Sequence, residues 1–298
     1  MRVTQTMLSS NFLQNVSNSY SKLGKLQDQL ASQKKITRPS DDPVVAVLGL
    51  GYRTELNRVQ QYSRNIGEVN NWLDSTDDAI GEGVQVLQRI RELVVQASTA
   101  TNDSSEREAI AVEIKELKEQ LKMIGNTQVG GKYIFNGIDT NIRPDGNFSE
   151  GEIHIEVFEG ISIPVNTSGK ELFGELFSED DPTTTTVDES GPLASLIATL
   201  EDPNTTEEEI DKFLGEIDGE IDRFLKFQAE VGAKQNRVEL MEDRIASQEV
   251  IATEILSENE DIDMEQVITE LITQESIHRA ALSVGARIIQ PTLMDFLQ

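Results

Sequence analysis

Residues 59–95 read VQQYSRNIGEVNNWLDSTDDAIGEGVQVLQRIRELVV and carry an apolar residue at every seventh position. The residues at these positions are Val59, Ile66, Leu73, Ile80, Leu87 and Val94. A repeat of seven keeps one apolar stripe of a helix facing a partner helix. No proline lies between Pro43 and Pro144, so the sequence predicts a long, uninterrupted helix.

A second repeat of seven lies in the C-terminal half of the chain. Its positions are Ile210, Ile217, Phe224, Val231, Val238, Ile245 and Ala252. No proline occurs between Pro203 and Pro291, which again permits one long helix. The two repeats predict a mainly α fold: a nested rod of long antiparallel heptad helices from both termini, with a small, partly β insert domain between them.

Shorter amphipathic helices are predicted at both ends of the chain, and we interpret their apolar residues as inter-subunit packing residues. In the N-terminal helix these are Phe12, Val16, Leu23, Leu26 and Leu30. In the C-terminal helix and the tail after it they are Val267, Leu271, Ala281, Ile288, Leu293, Phe296 and Leu297. Helices with such weak stripes gain most of their stability from packing, so we expect both to be mobile in the monomer and to order on assembly.

A punctuated link follows the first helix, with the residues Arg38, Pro39, Ser40, Asp41, Asp42 and Pro43. Asp42 before Pro43 is typical of a helix start, and Asp263 is a second candidate cap. We predict an inner layer from 1–42 and 263–298, a helical-bundle rod domain from 43–138 and 192–262, and a variable, outward-facing insert over 139–191. The insert contains a predicted β-hairpin, and Gly130-Gly131 is interpreted as a helix stop.

Composition argues against several classes of function. The 298 residues carry a net charge of −27, with 17 acidic residues and one basic residue between Glu171 and Asp222. Nucleic acid is an unfavourable partner for such a chain, and no apolar run could span a membrane. There is no cysteine, and the two histidines are not in a metal-ligand spacing. We therefore predict no enzymatic activity and no cofactor; an acidic metal-dependent enzyme is the alternative that a bound divalent ion would support.

Four stretches resemble the flagellin superfamily of axial proteins of the bacterial flagellum. They are the Arg38–Pro43 link, the sequence RIRELVVQA at 89–97, the sequence GKYIFNG at 131–137, and the C-terminal part from DIDM at 261–264 to ARIIQPTLMDFL at 286–297. Together they cover both termini and most of the predicted helices. The acidic insert carries no diagnostic match.

The resemblance implies a structural subunit at the junction between hook and filament, which assembles through its helices. Its implied partners are further copies of itself in a ring, hook-associated protein 1 on the hook side and flagellin on the filament side. It also implies export through the flagellar apparatus without cleavage, to the cell exterior, with a chaperone at the C-terminal helix. The link would then set the angle between the inner and middle layers.

Three alternatives within and outside this resemblance stay open. Flagellin itself shares the nested helices and the RIREL stretch. Hook-associated protein 1 shares the termini, although a longer chain is expected for it. A free-standing coiled-coil effector would instead show ordered termini in the monomer.

Overall fold

The structure is a computed structural model that describes residues 5–99, 104–177, 191–202 and 205–288. Seven helices dominate these residues. They are α1 (Gln5–Ser32), α2 (Pro43–Ala97), α3 (Ser104–Gly125), α4 (Gly169–Phe177), α5 (Pro192–Glu201), α6 (Glu207–Glu260) and α7 (Met264–Ile288). Four short strands are β1 (Gln128–Val129), β2 (Lys132–Tyr133), β3 (His154–Phe158) and β4 (Ile161–Pro164). The predicted mainly α fold with a small β component is confirmed.

The two repeats of seven form the two longest helices, α2 and α6, of 55 and 54 residues. Every repeat position from Val59 to Val94 and from Ile210 to Ile245 is buried. Ala252, the last position of the second repeat, is only half-buried. Burial of one stripe along each helix is the packing that the sevenfold spacing predicts.

Side-chain caps mark where α2 and α7 begin. The Asp42 carboxylate accepts hydrogen bonds from the backbone N–H groups of Val44 and Val45, at 3.0 and 3.2 Å. Asp263 does the same at the start of α7, accepting from two backbone N–H groups at 3.0 and 3.1 Å. Such caps satisfy donors that have no partner within the helix. Both predicted caps are therefore confirmed.

The chain forms two compact units. The terminal unit comprises Met1–Arg58 and Gln248–Gln298, and the central unit comprises Val59–Ser247. The predicted layers divide the chain at its links, at 42/43 and 262/263, whereas the compact units divide within the long helices. The first turns of α2 and the last turns of α6 thus belong with α1 and α7.

The central unit has one continuous apolar core, and the segment predicted as an insert contributes to it. Phe148 and Phe173 are buried together with Phe224 of α6. The ring of Phe173 packs edge-on against Phe224, with 5.3 Å between ring centroids, and stacks on Phe148 at 5.5 Å. Aromatic burial of this kind stabilises more per residue than aliphatic packing. The described part of 139–191 is therefore held to the helices by its own core residues.

Two antiparallel hairpins complete the central unit. Strands β3 and β4 pair with Ile155 opposite Ile163, which confirms the predicted hairpin. Strands β1 and β2 pair around Gly130 and Gly131, whose φ angles are +57° and +81°. Positive φ at both central residues is the requirement of a type I′ turn, which glycine meets without strain. The interpretation of these glycines as a helix stop was wrong, because α3 ends earlier, at Gly125.

Candidate functional site: the helix pair, clasp and link of the terminal unit

The end of α1 and the end of α6 are joined by backbone hydrogen bonds. The Lys35 N–H donates to the carbonyl of Glu260 at 2.6 Å, and the Ile262 N–H donates to the carbonyl of Gln33 at 3.2 Å. Gln33 follows α1 with φ of +57°, a left-handed conformation common directly after a helix. We call residues 33–35 and 258–262 the clasp, since they tie together the two links of the terminal unit.

Charged side chains reinforce the clasp. Lys34 Nζ lies 2.6 Å from Asp261 Oδ1, and the Ser257 hydroxyl donates to Asp261 Oδ2 at 2.6 Å. The hydrogen bond from Lys34 is the largest cause that holds the pKa of Asp261 below its ordinary value, followed by the one from Ser257. The same contact with Asp261 raises the pKa of Lys34. Both shifts mean that the charged pair stabilises the folded clasp.

Glu260 is the buried acid of the clasp. Its side chain is only 6% exposed, and its carboxylate lies 2.7 Å from Arg53 Nη2 and 3.6 Å from Lys34 Nζ. A buried carboxylate requires such partners, because desolvation of an unpaired charge is costly. Gly49 allows this close approach, since a Cβ there would lie 2.6 Å from Glu260 Oε1. The Asn259 amide also donates to the carbonyl of Val45, at 3.1 Å.

The predicted Arg38–Pro43 link is a closed turn fixed by its own aspartates. The Asp41 carboxylate accepts hydrogen bonds from the N–H groups of Arg38 and Thr37, at 3.0 and 3.4 Å. The Asp41 N–H returns a bond to the Arg38 carbonyl at 2.9 Å. The bond from Arg38 is the main cause that lowers the pKa of Asp41. With Asp42 capping α2, both aspartates of the motif have a defined structural role.

A mainly apolar cavity of about 300 Å³ opens beside this link. We call it the notch, and its rim carries the exposed residues Arg38 and Arg53. The lining residues are Ile36, Thr37, Arg38, Pro39, Pro43, Ala46, Val47, Leu50, Arg53 and Glu260. Of the six predicted link residues, Arg38, Pro39 and Pro43 line this concave surface, which the sequence periodicity did not indicate.

Helices α1 and α7 pack against each other within the single chain. Phe12 lies over Gly285, where a Cβ would come 2.0 Å from the ring. The Gln274 amide donates to the Ser19 hydroxyl at 2.9 Å. Close packing over a glycine and a polar bond across the pair give this contact a defined register.

The predicted packing residues lie along this helix pair where the structure describes them. Val267 is buried; the half-buried ones are Phe12, Val16, Leu23, Leu26, Leu30, Leu271 and Ala281. Ile288 is the last residue of α7, and its side chain is outside the description, as are Leu293, Phe296 and Leu297. Their role in contacts between subunits remains a prediction.

A different set of apolar side chains is exposed in the terminal unit, and the repeats of seven did not predict it. On α1 and α2 the set includes Met7, Leu13, Tyr20, Val44, Val47, Leu48 and Leu50; on α6 and α7 it includes Val250, Ile251, Ile255, Met264, Ile268, Ile272, Ile277, Leu282 and Val284. Exposed apolar surface of this density is typical of interaction sites. The sequence feature that indicates this set is the presence of apolar residues at positions next to the stripes of seven rather than on them.

Within the described residues no cluster of three or more histidine, aspartate or glutamate side chains could hold a metal ion. None of the helices that the structure describes is long and apolar enough to cross a membrane.

Both halves of the chain match regions of a known protein family. Residues 3–140 match the bacterial flagellin N-terminal helical region, and residues 214–297 match the bacterial flagellin C-terminal helical region. The two matched regions together cover about three quarters of the chain.

The chain belongs to the flagellin superfamily. This superfamily consists of structural proteins of the bacterial flagellum, and the predicted resemblance is confirmed. Flagellar hook-associated protein 3 of Escherichia coli is 24% identical over 300 residues, covering 94% of this chain and 95% of that protein. Flagellin of Bacillus subtilis is 24% identical over 296 residues, covering 97% of each chain.

Solved structures of the flagellin superfamily share the fold. The flagellar junction protein FlgL from Legionella pneumophila superposes with a TM-score of 0.56 at 17% identity, covering 72% of this chain and all of that one. FlgL of Bacillus cereus gives a TM-score of 0.55 at 22% identity, covering 70% and 99% of the two chains. At these identities the likeness concerns the fold alone.

Proposed function

We propose that this chain is a structural subunit of the junction between flagellar hook and filament, and that it has no enzymatic activity. The observation that carries the proposal is the similarity to hook-associated protein 3, which runs along nearly the full length of both chains. A junction subunit needs contact surfaces rather than a catalytic centre. The exposed apolar residues of the terminal unit supply such surfaces.

Assembly through the terminal helices is the proposed mechanism. The half-buried apolar residues of α1 and α7, such as Leu23 and Leu271, retain surface that a neighbouring subunit can cover. Each such side chain contributes about 25 cal/mol per Å² of apolar surface removed from water. The α1–α7 pair, which is packed within the single chain, would open and close in the free subunit because its apolar stripes are weak, and copies that pack into a ring would hold it closed.

The proposed partners follow the position of a junction. Further copies of this chain form the ring, hook-associated protein 1 lies on the hook side, and flagellin lies on the filament side. Export proceeds through the flagellar apparatus to the cell exterior, and a chaperone covers the C-terminal helix during transit. Shielding is chemically reasonable, since α7 exposes Ile268, Ile272 and Leu282 and the tail beyond it is apolar.

Deletion of the gene in the native cell tests the proposal. Cells that keep hooks, lack filaments and release flagellin monomer into the medium are the expected result. Filaments that persist at normal length and number in the deletion strain would overturn it. Re-expression of the intact chain serves as the control and should restore the filaments.

Flagellin is the second candidate, because the similarity to Bacillus subtilis flagellin also covers 97% of each chain. The same deletion separates the two functions. If this chain is the filament subunit, its loss removes the flagellin band itself from cells and medium. If it is the junction, that band remains and shifts to the soluble fraction.

A further inference from the structure

Two stretches of the terminal unit differ in the sign of their net charge. Residues 5–58 contain seven lysine and arginine residues and four acidic residues. Residues 248–278 contain nine acidic residues and no lysine or arginine. Both stretches also expose apolar side chains. Opposite charge around apolar surface is the pattern of two faces that bind each other.

The notch is the concave member of this pair. Its apolar wall includes Pro39, Val47 and Leu50, and its rim carries Arg38 and Arg53. Val47 is 69% exposed although it lines a cavity, so the notch is open to solvent in the single chain. Glu260 at the notch is already paired with Arg53 and adds little repulsion toward an incoming acid.

The convex member lies on the last turns of α6. Val250, Ile251, Glu254, Ile255 and Glu258 fall on one helix face, and all five are exposed. We call this face the acidic stripe. Ile251 is 54% exposed, so the stripe offers aliphatic side chains flanked by carboxylates. Aliphatic groups suit the apolar wall of the notch, and a carboxylate suits the Arg38 guanidinium on its rim, since Arg53 already pairs with Glu260.

We propose that the notch of one copy receives the acidic stripe of the next copy. The inference deepens the proposed function and rests on it, because it assumes that copies of this chain assemble. The two surfaces differ, so the contact is heterologous: each copy offers its notch to one neighbour and its stripe to another. Heterologous contacts generate rings when the rotation closes. The occupant of the notch is thus a second copy of this chain.

Cysteine cross-linking tests the contact directly, because the chain has no cysteine of its own. Val47→Cys and Ile251→Cys are made as separate single variants and expressed together in the deletion strain. Isolated flagella are then treated with a short bismaleimide. A covalent dimer is expected from the mixed pair. Val112→Cys, which replaces an exposed side chain on α3, substitutes for Ile251→Cys as the matched control and should give no dimer above background.

Two results would overturn the inference. One is the absence of a mixed-pair dimer above the control level although filaments are retained. The other is an equal yield of dimer from Val47→Cys expressed alone, since that would mean the same surface meets itself. Failure of the proposed function looks different, because the uncomplemented deletion strain would then keep its filaments or, if this chain is flagellin, lose the flagellin band itself.

Charge reversal gives an independent readout. Arg38→Glu should lower the fraction of cells with filaments by about tenfold, because it places like charges across the contact. Glu254→Lys in the same chain should restore filaments, since the pair is then reversed rather than broken. Lys115→Glu on α3 is the matched control and should leave the filament count unchanged. A double variant no better than Arg38→Glu alone would contradict the pairing.

Discussion

Arg53 and Glu260 are separated by 207 residues in sequence and by 2.7 Å in space. Arg53 lies on α2 and Glu260 is the last residue of α6, so the pair joins the two long helices where the chain turns into its terminal helices. The carboxylate is nearly fully buried, whereas more than half of the arginine side chain is exposed. The stability of the clasp therefore depends on keeping the buried charge compensated.

Arg53→Met should weaken the clasp by about 1–3 kcal/mol, because among the described residues Glu260 would then retain only Lys34, at 3.6 Å, as a charged partner. Hydrogen exchange at the amides of Lys35 and Ile262 should then be at least about tenfold faster. Arg58→Met is the matched control, since Arg58 pairs with Glu55 on the exposed face of the same helix. Equal exchange rates in the two variants would count against a buried, compensated charge.

Acid should loosen the clasp through Asp261. The folded state lowers the pKa of this group, so its contribution is present above the unfolded value of about 3.9 and is lost as pH falls through the folded value. Exchange of the Ile262 amide, corrected for intrinsic rates, should rise below about pH 4. In Asp261→Asn this acid dependence should shrink markedly. An unchanged profile in the variant would assign the effect to another group.

Gly285 should be essential to the pairing of α1 and α7. A side chain there meets the ring of Phe12, with 2.0 Å from Cβ to Cζ, so Gly285→Val should push the helices apart. The α1 amides should lose exchange protection. Gly24→Ala is the control on α1, where nothing lies within 4 Å, and it should gain up to about 1 kcal/mol in helix propensity. If the α1 amides of Gly285→Val kept their exchange protection, the close contact between Phe12 and Gly285 would not be required for the pairing of α1 and α7.

Gly83 should have the same importance in the central unit. Its Cβ would lie 2.5 Å from the buried ring of Phe224, so Gly83→Ala should cost about 1–3 kcal/mol in unfolding free energy. Gly67→Ala, on the same helix with nothing within 4 Å, should be neutral or stabilising. Trp72, the single tryptophan, is buried in this unit and reports its urea unfolding by fluorescence. Equal midpoints for both variants would refute the close contact.

Neighbouring positions on α7 should separate assembly from folding. Leu271 is half-buried and Ile272 is exposed, and aspartate at either position should prevent the chain from restoring filaments in the deletion strain. Only Leu271→Asp should also reduce protection of α1 in the monomer, since only that side chain turns partly inward. Urea unfolding followed by Trp72 should match the wild-type chain in both. Filaments restored by Ile272→Asp would mean that this face is not covered on assembly.

Much of the fold could be predicted from local spacing. Positions such as Ile66, Leu73 and Phe224 are buried because a repeat of seven places them on one stripe, and that relationship is visible in the sequence. The caps at Asp42 and Asp263 were also predictable, because a capping side chain bonds to backbone two or three residues away. Local rules suffice wherever both partners are close along the chain.

The clasp escaped prediction for the opposite reason. The contacts of Glu260 with Arg53 and Lys34 join residues more than 200 positions apart, and no spacing rule relates them. The apolar stripes on α1 and α7 predict residues that lie in the contact between these two helices. They do not predict Ile251 and Ile272, which are exposed because they lie beside a stripe. Gly130 and Gly131 were misassigned because helix ends and type I′ turns both favour glycine with positive φ.

The clasp also has a mechanical consequence. Its backbone bonds join Gln33 to Ile262 and Glu260 to Lys35, as one rung between two chain segments that run in opposite directions. A tensile load applied to α1 and α7 therefore reaches α2 and α6 by two routes. One is the covalent backbone of each link, and the other is the pair of hydrogen bonds that joins the two links. In a rotating assembly, these hydrogen bonds let both long helices carry torque together, because neither link can bend without the other.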